Sequence, residues 1–577
     1  MSSRQKTPRK PKTAIDAAKE ATEQTQQSSS SNTIVNVGRA AAILLIAGFA
    51  SPVSQLNLTP VFGSIPASLH HQRTMTITAA AALIGRKGLK RYVSADLAQY
   101  IAVVAYWVPV IQFFLFSYSE KLTIEYGPLI IESLTYFPLL FLSMYAAADL
   151  IETVDFSQFG APPAANDIAT PIAAYFTVSS LAKIANAILP DYIGTSIYFT
   201  RIGLQMLLAS ASAFVSPSRV IFLAFPAILH TLWANPHHPS DHGFQLANST
   251  LYANQNYTLL ARQESITGYV SVMESTSDNA FRLLRCDHSL LGGEWLVTPQ
   301  AYAKGQRQRE SIFAVFVLLE AVRLVDPAPE TEVVPDSKKS ALNIGLGIGT
   351  APNAMIAHGI NTTIVELDPV VHHYATKYFG LSPRHTAVID DAVSYVAHKS
   401  VSAPENFDYI MHDVFTGGAE PVYLFTTEFM TGLYDLLKPD GSVAINYAGD
   451  LTLGSTKLVL NTILSIFPSC RLFRDQPPPE SQKPGDSDFI NMVIFCVKTK
   501  RAITFREPEE KDYLGSIARH NFLWPKDKME VKYEYVEGAG VMGKKDVGEL
   551  EKFHEEGAVS HWRIMRTVLP GGVWEMW

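Results

Sequence analysis

The sequence is poor in cysteine, with only Cys286, Cys470 and Cys496 among 577 residues. These three lie far apart and show neither the spacing of a zinc site nor that of a disulfide framework. Their scarcity excludes a small disulfide-stapled scaffold and predicts a reducing compartment for the part of the chain that carries them. The sequence indicates no metal site.

The chain has no excess of basic residues, and its first 33 residues lack aromatic side chains. The net charge of −7 offers no broad basic surface, so we expect no nucleic-acid partner. Residues 1–33 contain no aromatic residue and are rich in Lys, Ser, Gln and Thr. Such a segment buries too little apolar surface to offset the entropy of ordering, which predicts a disordered tail over 1–33.

Apolar residues, in contrast, crowd into the first 235 positions of a chain that is 47% hydrophobic. Several runs approach the roughly 20 residues that a helix needs to cross a bilayer. They predict an α-helical multi-pass membrane domain over 34–235 with five to seven spans, the alternative being buried helices of a soluble core. The clear runs are 38–58, 97–118, 127–150, 168–189 and 193–215, and the marginal runs are 74–85 and 219–234.

From about residue 240 the composition becomes that of a soluble protein. Residues 240–325 predict a small β-hairpin unit and a connecting helix, because short alternating runs at 269–272 and 281–284 flank a polar turn. Residues 335–500 alternate strand and helix patterns, which predicts an α/β Rossmann-like domain of the class I methyltransferase type. The C-terminal extension, 501–577, carries no chemistry that the sequence identifies.

A glycine-rich turn opens the Rossmann-like domain. One apolar run leads into Gly345, Gly347 and Gly349, and after a helix pattern a second apolar run ends at Glu366. Glycine lets the backbone turn tightly and approach a ligand at a helix N-terminus. The third glycine comes one residue earlier than in the pyrophosphate-binding pattern Gly-x-Gly-x-x-Gly. The turn therefore favours a nucleoside without a diphosphate, such as S-adenosylmethionine, over NAD.

Three acids follow predicted strands and should meet at the carboxyl edge of the sheet. Glu366 is expected to accept hydrogen bonds from both ribose hydroxyls, and Asp391, with the backbone of Ala392, to read the adenine edge. Asp413 is expected to face the transferred alkyl group and to accept the proton of the nucleophile or orient its lone pair. The neighbouring Asp390 is expected to cap the next helix.

These motifs resemble the polyamine aminopropyltransferases, the spermidine and spermine synthases, over roughly 255–500. The resemblance implies a transferase that moves an alkyl group from S-adenosylmethionine or its decarboxylated form to a small amine acceptor, such as a polyamine. It also implies a homodimer. The matching segments are 345–349 (Gly-Leu-Gly-Ile-Gly), 365–368 (Val-Glu-Leu-Asp), 390–392 (Asp-Asp-Ala), 407–413 (Phe-Asp-Tyr-Ile-Met-His-Asp) and 437–441 (Leu-Lys-Pro-Asp-Gly).

Three positions depart from that family's pattern. Ile348 stands where the family has an acid that binds the amine of the aminopropyl group, and residues 414–418 lack the second aspartate of its catalytic loop. The Tyr-Gln pair that holds the polyamine has no clear match around 310–313. Methyl transfer therefore stays as open as aminopropyl transfer. The alternative function is a membrane transporter or scaffold whose soluble domain only binds a nucleoside.

The side of the membrane on which the C-terminal domain lies follows from basic residues in loops. The tail and residues 86–91 are basic, which indicates that both lie in the cytosol. Seven spans would place the C-terminal domain outside, but its expected cofactor is made in the cytosol. We therefore expect a cytosolic catalytic domain, with either 219–234 not crossing fully or the charge rule failing. The sequons at Asn248 and Asn256 would accept glycans only in a lumenal domain.

Overall fold

The computed structural model describes two parts that follow one another along the chain. The helical unit lies within residues 14–234, and the C-terminal unit, within 241–577, contains two β-sheets. The described residues are 14–93, 96–152, 163–329, 331, 334–414, 421–477, 489–536, 538, 540–551 and 553–577.

Long apolar helices form the helical unit. By length and composition, four stretches could cross a membrane: Thr33–Phe62, Leu97–Phe116, Ser119–Glu152 and Pro171–Asp191. Arg201–Val215 and Ile221–Ala234 are shorter apolar helices. The α-helices of this unit are α1 (Ala14–Phe62), α2 (Ser64–Leu69), α3 (His71–Tyr92), α4 (Ile101–Phe116), α5 (Ser119–Leu134), α6 (Tyr136–Glu152), α7 (Pro163–Ile188), α8 (Arg201–Val215) and α9 (Phe225–Leu229).

The first helix is longer than its apolar run. It begins at Ala14, so residues 14–33 of the predicted disordered tail are helical, and residues 1–13 lie outside the described part of the chain. Alanine, glutamate, lysine and glutamine predominate at 14–27 and favour helix. They extend a helix that the apolar run has already nucleated, and extension costs far less than nucleation.

A buried polar network joins α1, α3 and α5. Ser51 Oγ lies 2.7 Å from His71 Nε2, and His71 Nδ1 lies 2.8 Å from Glu132 Oε1. A carboxylate only accepts hydrogen bonds, so Nδ1 donates to Glu132, and Nε2 forms the second hydrogen bond of the ring with the Ser51 hydroxyl. Ser54 Oγ donates a further hydrogen bond of 2.7 Å to Glu132. All four side chains are buried, and the network satisfies polar groups that would otherwise destabilise an apolar bundle.

The helical unit has a basic end. Arg86, near the end of α3, binds Glu152 at the end of α6 at 2.6 Å. Arg39, near the start of the buried part of α1, donates a hydrogen bond of 3.4 Å to the carbonyl oxygen of Val215 at the end of α8. A short connection leads from the end of α3 to the start of α4. α8 runs antiparallel to α4, because Tyr106 lies beside Ser210 and Gln112 beside Gln205. The end of α8, with Arg39 of α1 beside it, therefore lies at the same end as the end of α3.

The marginal run 219–234 forms an irregular helical segment, Ile221–Ala234, beside α4. Trp107 Nε1 donates a hydrogen bond of 3.0 Å to the carbonyl oxygen of Leu223, and the rings of Phe113 and His230 lie 5.3 Å apart. Both contacts advance in the same direction along the two elements. The segment therefore runs parallel to α4 and leads from α8 to the C-terminal unit.

The first sheet of the C-terminal unit is antiparallel, with the order β1-β2-β3-β4-β5. It contains the two expected strands but is larger than the predicted hairpin, because 289–295 and 310–311 also pair. The expected connecting helix is short and continues as a 3-10 helix, Leu319–Leu324. The elements are α10 (Asp241–Gln255), β1 (Tyr257–Ser265), β2 (Gly268–Ser275), β3 (Phe281–Cys286), β4 (Ser289–Trp295), α11 (Pro299–Ala303), β5 (Glu310–Ser311) and α12 (Ala314–Leu318).

The second sheet has eight strands in the order β13-β11-β12-β10-β9-β6-β7-β8. Strands β10, β9, β6, β7 and β8 are parallel, which confirms the Rossmann-like expectation. The strand order reverses at β6, and ligands of such folds bind outside the carboxyl ends at this point. The strands are β6 (Ser340–Ile344), β7 (Asn361–Glu366), β8 (Thr386–Ile389), β9 (Phe407–His412), β10 (Leu437–Asp450), β11 (Ser469–Arg474), β12 (Phe489–Val497) and β13 (Glu530–Val531).

Helices cover both faces of this sheet, and apolar side chains of the parallel strands are buried beneath them. The helices of this part of the chain are α13 (Thr350–Ala357), α14 (Pro369–Phe379), α15 (Ala392–Ser402), α16 (Thr427–Leu436), α17 (Gly454–Ile466), α18 (Ile517–Phe522) and α19 (Val547–Glu551). The last two helices, α20 (His554–Val568) and α21 (Gly571–Glu575), pack instead against the antiparallel sheet and the helical unit.

Two of the three cysteines are paired. Cys470 on β11 lies opposite Cys496 on β12, and the two form a disulfide, whereas Cys286 is a buried free thiol. The prediction that no disulfide forms was wrong. Antiparallel pairing brings together residues 26 positions apart, a relationship that sequence spacing does not reveal.

The C-terminal extension folds back between the two units. Trp562 Nε1 donates a hydrogen bond of 3.0 Å to the carbonyl oxygen of Val61 at the end of α1. The buried guanidinium of Arg285 on β3 donates to the carbonyl oxygens of Pro60 at 2.6 Å and of Trp574 at 2.9 Å. The last two helices therefore join the antiparallel sheet to the far end of α1, opposite the basic end.

Candidate functional site

The glycine turn has the conformation that its sequence requires. Gly345, Gly347 and Gly349 have φ values of 79°, 54° and 85°, a region that other residues rarely adopt. A Cβ at Gly345 would overlap the backbone of Asp413, and one at Gly347 would overlap the carbonyl oxygen of Leu291 on β4. The turn is thus held between β9 and the antiparallel sheet, and it leads directly into α13.

Glu366 closes β7 beside this turn. Its side chain is only 8% exposed, and one carboxylate oxygen accepts a hydrogen bond of 2.8 Å from the backbone N–H of Asp368. Burial raises the pKa of Glu366 to about 7, although backbone hydrogen bonds from Asp368 and Leu346 oppose this rise. The other lone pairs could accept both hydroxyls of a ribose, and such donors would favour the ionised form.

Asp391 caps α15, so the expectation that Asp390 is the cap was wrong. The Asp391 carboxylate accepts hydrogen bonds from the backbone N–H groups of Val393 at 3.2 Å and Ser394 at 3.1 Å. Asp390 instead continues the strand ladder, because its N–H donates to the carbonyl oxygen of Glu366 at 3.1 Å. Asp391 is exposed at the carboxyl edge, where its expected role towards adenine stays a prediction, as does that of Ala392, the first residue of α15.

Two aliphatic side chains at this edge escaped the sequence analysis. Leu367, directly after Glu366, is 47% exposed, and Ile389 at the end of β8 is 45% exposed. Small-molecule sites are lined mainly by apolar side chains, so these two residues are candidates to contact the expected adenine. They lie at the ends of the neighbouring strands β7 and β8, beside Glu366 and Asp390. The signal in the sequence was an aliphatic residue directly beside each acid.

Asp413 follows β9 and has a fixed partner. Its backbone N–H donates a hydrogen bond of 2.8 Å to the carbonyl oxygen of Ile344, and its carboxylate accepts one of 2.8 Å from Asn446 Nδ2. Burial raises the pKa of Asp413 to about 6, and the Asn446 amide opposes this rise. Asn446 was missed. It lies on β10 one residue beyond the pair Ile445 and His412, so only the strand register places it beside Asp413.

His412 points away from the cleft. Its ring lies 5.1 Å from the ring of Phe425 and 5.6 Å from that of Phe429, within the buried core. Burial lowers the pKa of His412 to about 4, so the ring stays neutral. The residue packs and has no place in the chemistry.

The antiparallel sheet packs over the glycine turn. Ser265 Oγ donates a hydrogen bond of 2.6 Å to Asp368, which also binds the Thr267 hydroxyl. Ile348, only 6% exposed, packs against the backbone of Gly292 on β4. Beside it lies a cavity of about 470 Å³ whose other lining residues include Thr350, Asn353, Glu294, Arg309 and Gln308.

The carboxyl edge therefore brings the glycine turn, Glu366, Asp391 and Asp413 together, as expected. Residues 415–420 of the loop after Asp413 lie outside the described part of the chain. Among the described residues, no group of three or more His, Cys, Asp or Glu side chains could hold a metal ion. A Rossmann-like sheet with these groups at its switch point defines a nucleoside-binding transferase.

Comparison with known proteins specifies the class further. The family model of the spermine/spermidine synthase domain matches residues 331–473 of this chain. An N-terminal histidine N-methyltransferase of Emericella nidulans is 43% identical over 550 residues, which cover 93% of this chain and 97% of the relative. A polyamine aminopropyltransferase of Vibrio vulnificus is 32% identical over 127 residues, or 21% of this chain and 39% of that protein. A probable spermidine synthase of known structure from Corynebacterium glutamicum shares 18% identity with a TM-score of 0.35, covering 52% of this chain and 94% of its own.

The chain belongs to the family of the N-terminal histidine N-methyltransferase and contains a spermidine-synthase-like domain. It is an enzyme, an alkyl transferase, and its co-substrate is S-adenosylmethionine or the decarboxylated form. The homodimer that the resemblance implied stays a prediction.

Proposed function

We propose that this protein is a membrane-anchored methyltransferase that transfers the methyl group of S-adenosylmethionine to the N-terminal histidine of a polypeptide. The observation that carries the proposal is the half-buried Asp413, held by Asn446 beside the glycine turn. Support for the acceptor comes from the relative that shares 43% identity over nearly its whole length. Support for the anchor comes from the long apolar helices.

Asp413 suits an imidazole acceptor. A carboxylate that accepts a hydrogen bond from one ring N–H leaves the other ring nitrogen with a lone pair for attack. As the new N–C bond forms, the C–S bond breaks and the sulfonium becomes a neutral thioether. The methylated ring is then cationic until its N–H proton moves to Asp413. A pKa near 6 keeps Asp413 ionised at neutral pH and close enough to the acceptor's pKa for proton transfer.

Ile348 favours methyl over aminopropyl transfer. An aminopropyl group ends in an ammonium, which needs an opposing carboxylate, whereas Ile348 presents an apolar, buried side chain. S-adenosylmethionine carries a carboxylate that its decarboxylated form lacks. An acid at position 348 would repel that carboxylate, and an aliphatic residue does not.

The test uses the full-length protein in detergent with methyl-labelled S-adenosylmethionine. Three synthetic peptides are compared: one that begins with histidine, its Nα-acetylated form, and one with alanine placed before the histidine. We expect label on the ring of the first peptide only, and at least about 100-fold less with Asp413→Asn.

Two results would contradict the proposal. Consumption of putrescine or spermidine with the decarboxylated co-substrate, without peptide methylation, would assign aminopropyl transfer. Tight binding of S-adenosylmethionine with no turnover of any acceptor would favour a transporter or scaffold that only binds the nucleoside.

A further inference from the structure

The chain contains four Asn-x-Ser/Thr sequons, at Asn57, Asn248, Asn256 and Asn361. Two of them, at Asn248 and Asn256, lie near the start of the C-terminal unit and differ in accessibility. Asn248 lies inside α10 and is half-buried, and its side-chain oxygen accepts a hydrogen bond of 2.8 Å from the backbone N–H of Leu259. Asn256 lies directly after α10, is exposed and has a left-handed backbone with φ of 61°. Its sequon is completed by Thr258 on β1. Asn57 is fully buried within α1, and Asn361 begins β7, where Thr362 of its sequon is fully buried. Of the four sequons, the one at Asn256 therefore presents its amide on an exposed turn.

We propose that Asn256 carries an N-linked glycan, and that the C-terminal unit therefore lies on the non-cytosolic side of the membrane. This inference rests on the proposed membrane anchoring, and not on the proposed methyl acceptor. This location replaces the cytosolic one that was expected because the co-substrate is made in the cytosol. A non-cytosolic site requires a carrier that brings S-adenosylmethionine, a sulfonium nucleoside, across the membrane.

The direction of α1 supports this side. A basic tail precedes α1, and the basic residues 86–91 form the last turns of α3 at the same end of the helical unit. Segments rich in Lys and Arg that flank membrane spans stay in the cytosol. The other end of α1 contacts the C-terminal unit, because Trp562 donates to the carbonyl oxygen of Val61 and Arg285 to that of Pro60. One crossing by α1 therefore separates the basic tail from the C-terminal unit.

The path of the segment Ile221–Ala234 also places the C-terminal unit on the non-cytosolic side. α8 ends near Arg39 at the basic end, and the segment then returns beside α4 to reach α10. An additional crossing before α10 is what a C-terminal unit on the non-cytosolic side requires.

The disulfide is an independent argument. Cys470 and Cys496 are joined within the sheet that forms the site. Structural disulfides persist in the secretory compartments and are rare in the cytosol. The same compartments glycosylate exposed Asn-x-Thr sequons.

The modification is a group transfer from a lipid-diphosphate-linked oligosaccharide supplied by the compartment. A bond forms between Asn256 Nδ2 and the first sugar carbon, and the bond from that carbon to the diphosphate breaks. The amide loses one proton, and the lipid diphosphate leaves with the electron pair.

The test expresses the full chain in a eukaryotic host and compares its gel mobility with and without peptide N-glycosidase. We expect the wild type to shift on treatment. Asn256→Gln and Thr258→Ala should each abolish the shift completely, whereas Thr258→Ser, which preserves the sequon, and Asn248→Gln should keep it.

Absence of a shift in the wild type, or a shift that survives Asn256→Gln, would overturn the proposal. Loss of the shift in Asn248→Gln alone would assign the glycan to the other sequon and would also contradict it. Resistance of the protein to carbonate extraction from membranes, measured in parallel, tests the anchor separately. Peptide methylation tests the proposed function separately.

Discussion

The side-chain amide of Asn446 donates a hydrogen bond of 2.8 Å to the carboxylate of Asp413. Asp413 directly follows β9 and Asn446 lies opposite it within the parallel strand β10, so the contact holds the carboxylate beside the carboxyl end of β6, where the strand order reverses. The amide favours the ionised carboxylate, while burial favours the protonated one. The balance between these effects sets the pH at which Asp413 can accept a proton.

Replacing Asn446 with alanine should move the pH dependence of methyl transfer. Loss of the amide removes an interaction that lowers the pKa of Asp413, so this pKa should rise above about 6. The ionised form is the active one, and kcat/KM should therefore fall on the acid side at a higher pH than in the wild type. The measurement is a pH profile of kcat/KM for both proteins.

The matched control is Asp408→Asn, at the other end of β9, where the carboxylate binds Lys438 at 2.7 Å. This variant removes a carboxylate from the same strand, but the acid limb of its kcat/KM profile should lie at the same pH as in the wild type. An unchanged limb in Asn446→Ala would rule out Asp413 as the titrating group.

Glu366→Gln should weaken the binding of S-adenosylmethionine. Hydrogen bonds to a charged acceptor contribute about 1.5–3 kcal/mol, so Kd should rise roughly 10- to 100-fold. The carboxylate has a raised pKa of about 7, and it loses an acceptor as it becomes protonated. Wild-type affinity should therefore fall as the pH decreases through about 7, and the glutamine variant should lose this dependence. Calorimetric titration measures both, with the exposed Glu405→Gln as control.

Local patterns predicted the parallel sheet well, because each strand is a short apolar run and each ligand-facing residue follows it directly. The contribution of Asn446 was not predictable, since it depends on which residue of β10 lies beside β9. The disulfide between Cys470 and Cys496 escaped for the same reason. The docking of Trp562 depends on contact with α1, almost the whole chain away, and no local signal marks it.

Ile348→Asp should change the preference for the two forms of the co-substrate. The new carboxylate would repel the carboxylate of S-adenosylmethionine and attract the free amine of the decarboxylated form. We expect the ratio of the two Kd values to shift towards the decarboxylated form by at least about tenfold, or about 1.4 kcal/mol.

Ile348→Asn is the matched control for this change, because it has a similar shape and no charge. Both variants place a polar group in a buried position against Gly292 and should lower stability. An equal ratio in the two variants would show that charge at position 348 does not select the co-substrate.

His71→Phe should destabilise the helical unit. The ring keeps its packing beside Tyr136, 5.2 Å away, but Ser51 and Glu132 lose their shared partner. Breaking a buried polar pair by removing one member costs about 3–5 kcal/mol, so the thermal unfolding midpoint in detergent should fall by several degrees. Gln72→Ala alters the adjacent, exposed residue and should leave the midpoint within about a degree of the wild type. Equal midpoints for His71→Phe and the wild type would show that the network does not hold α1, α3 and α5 together.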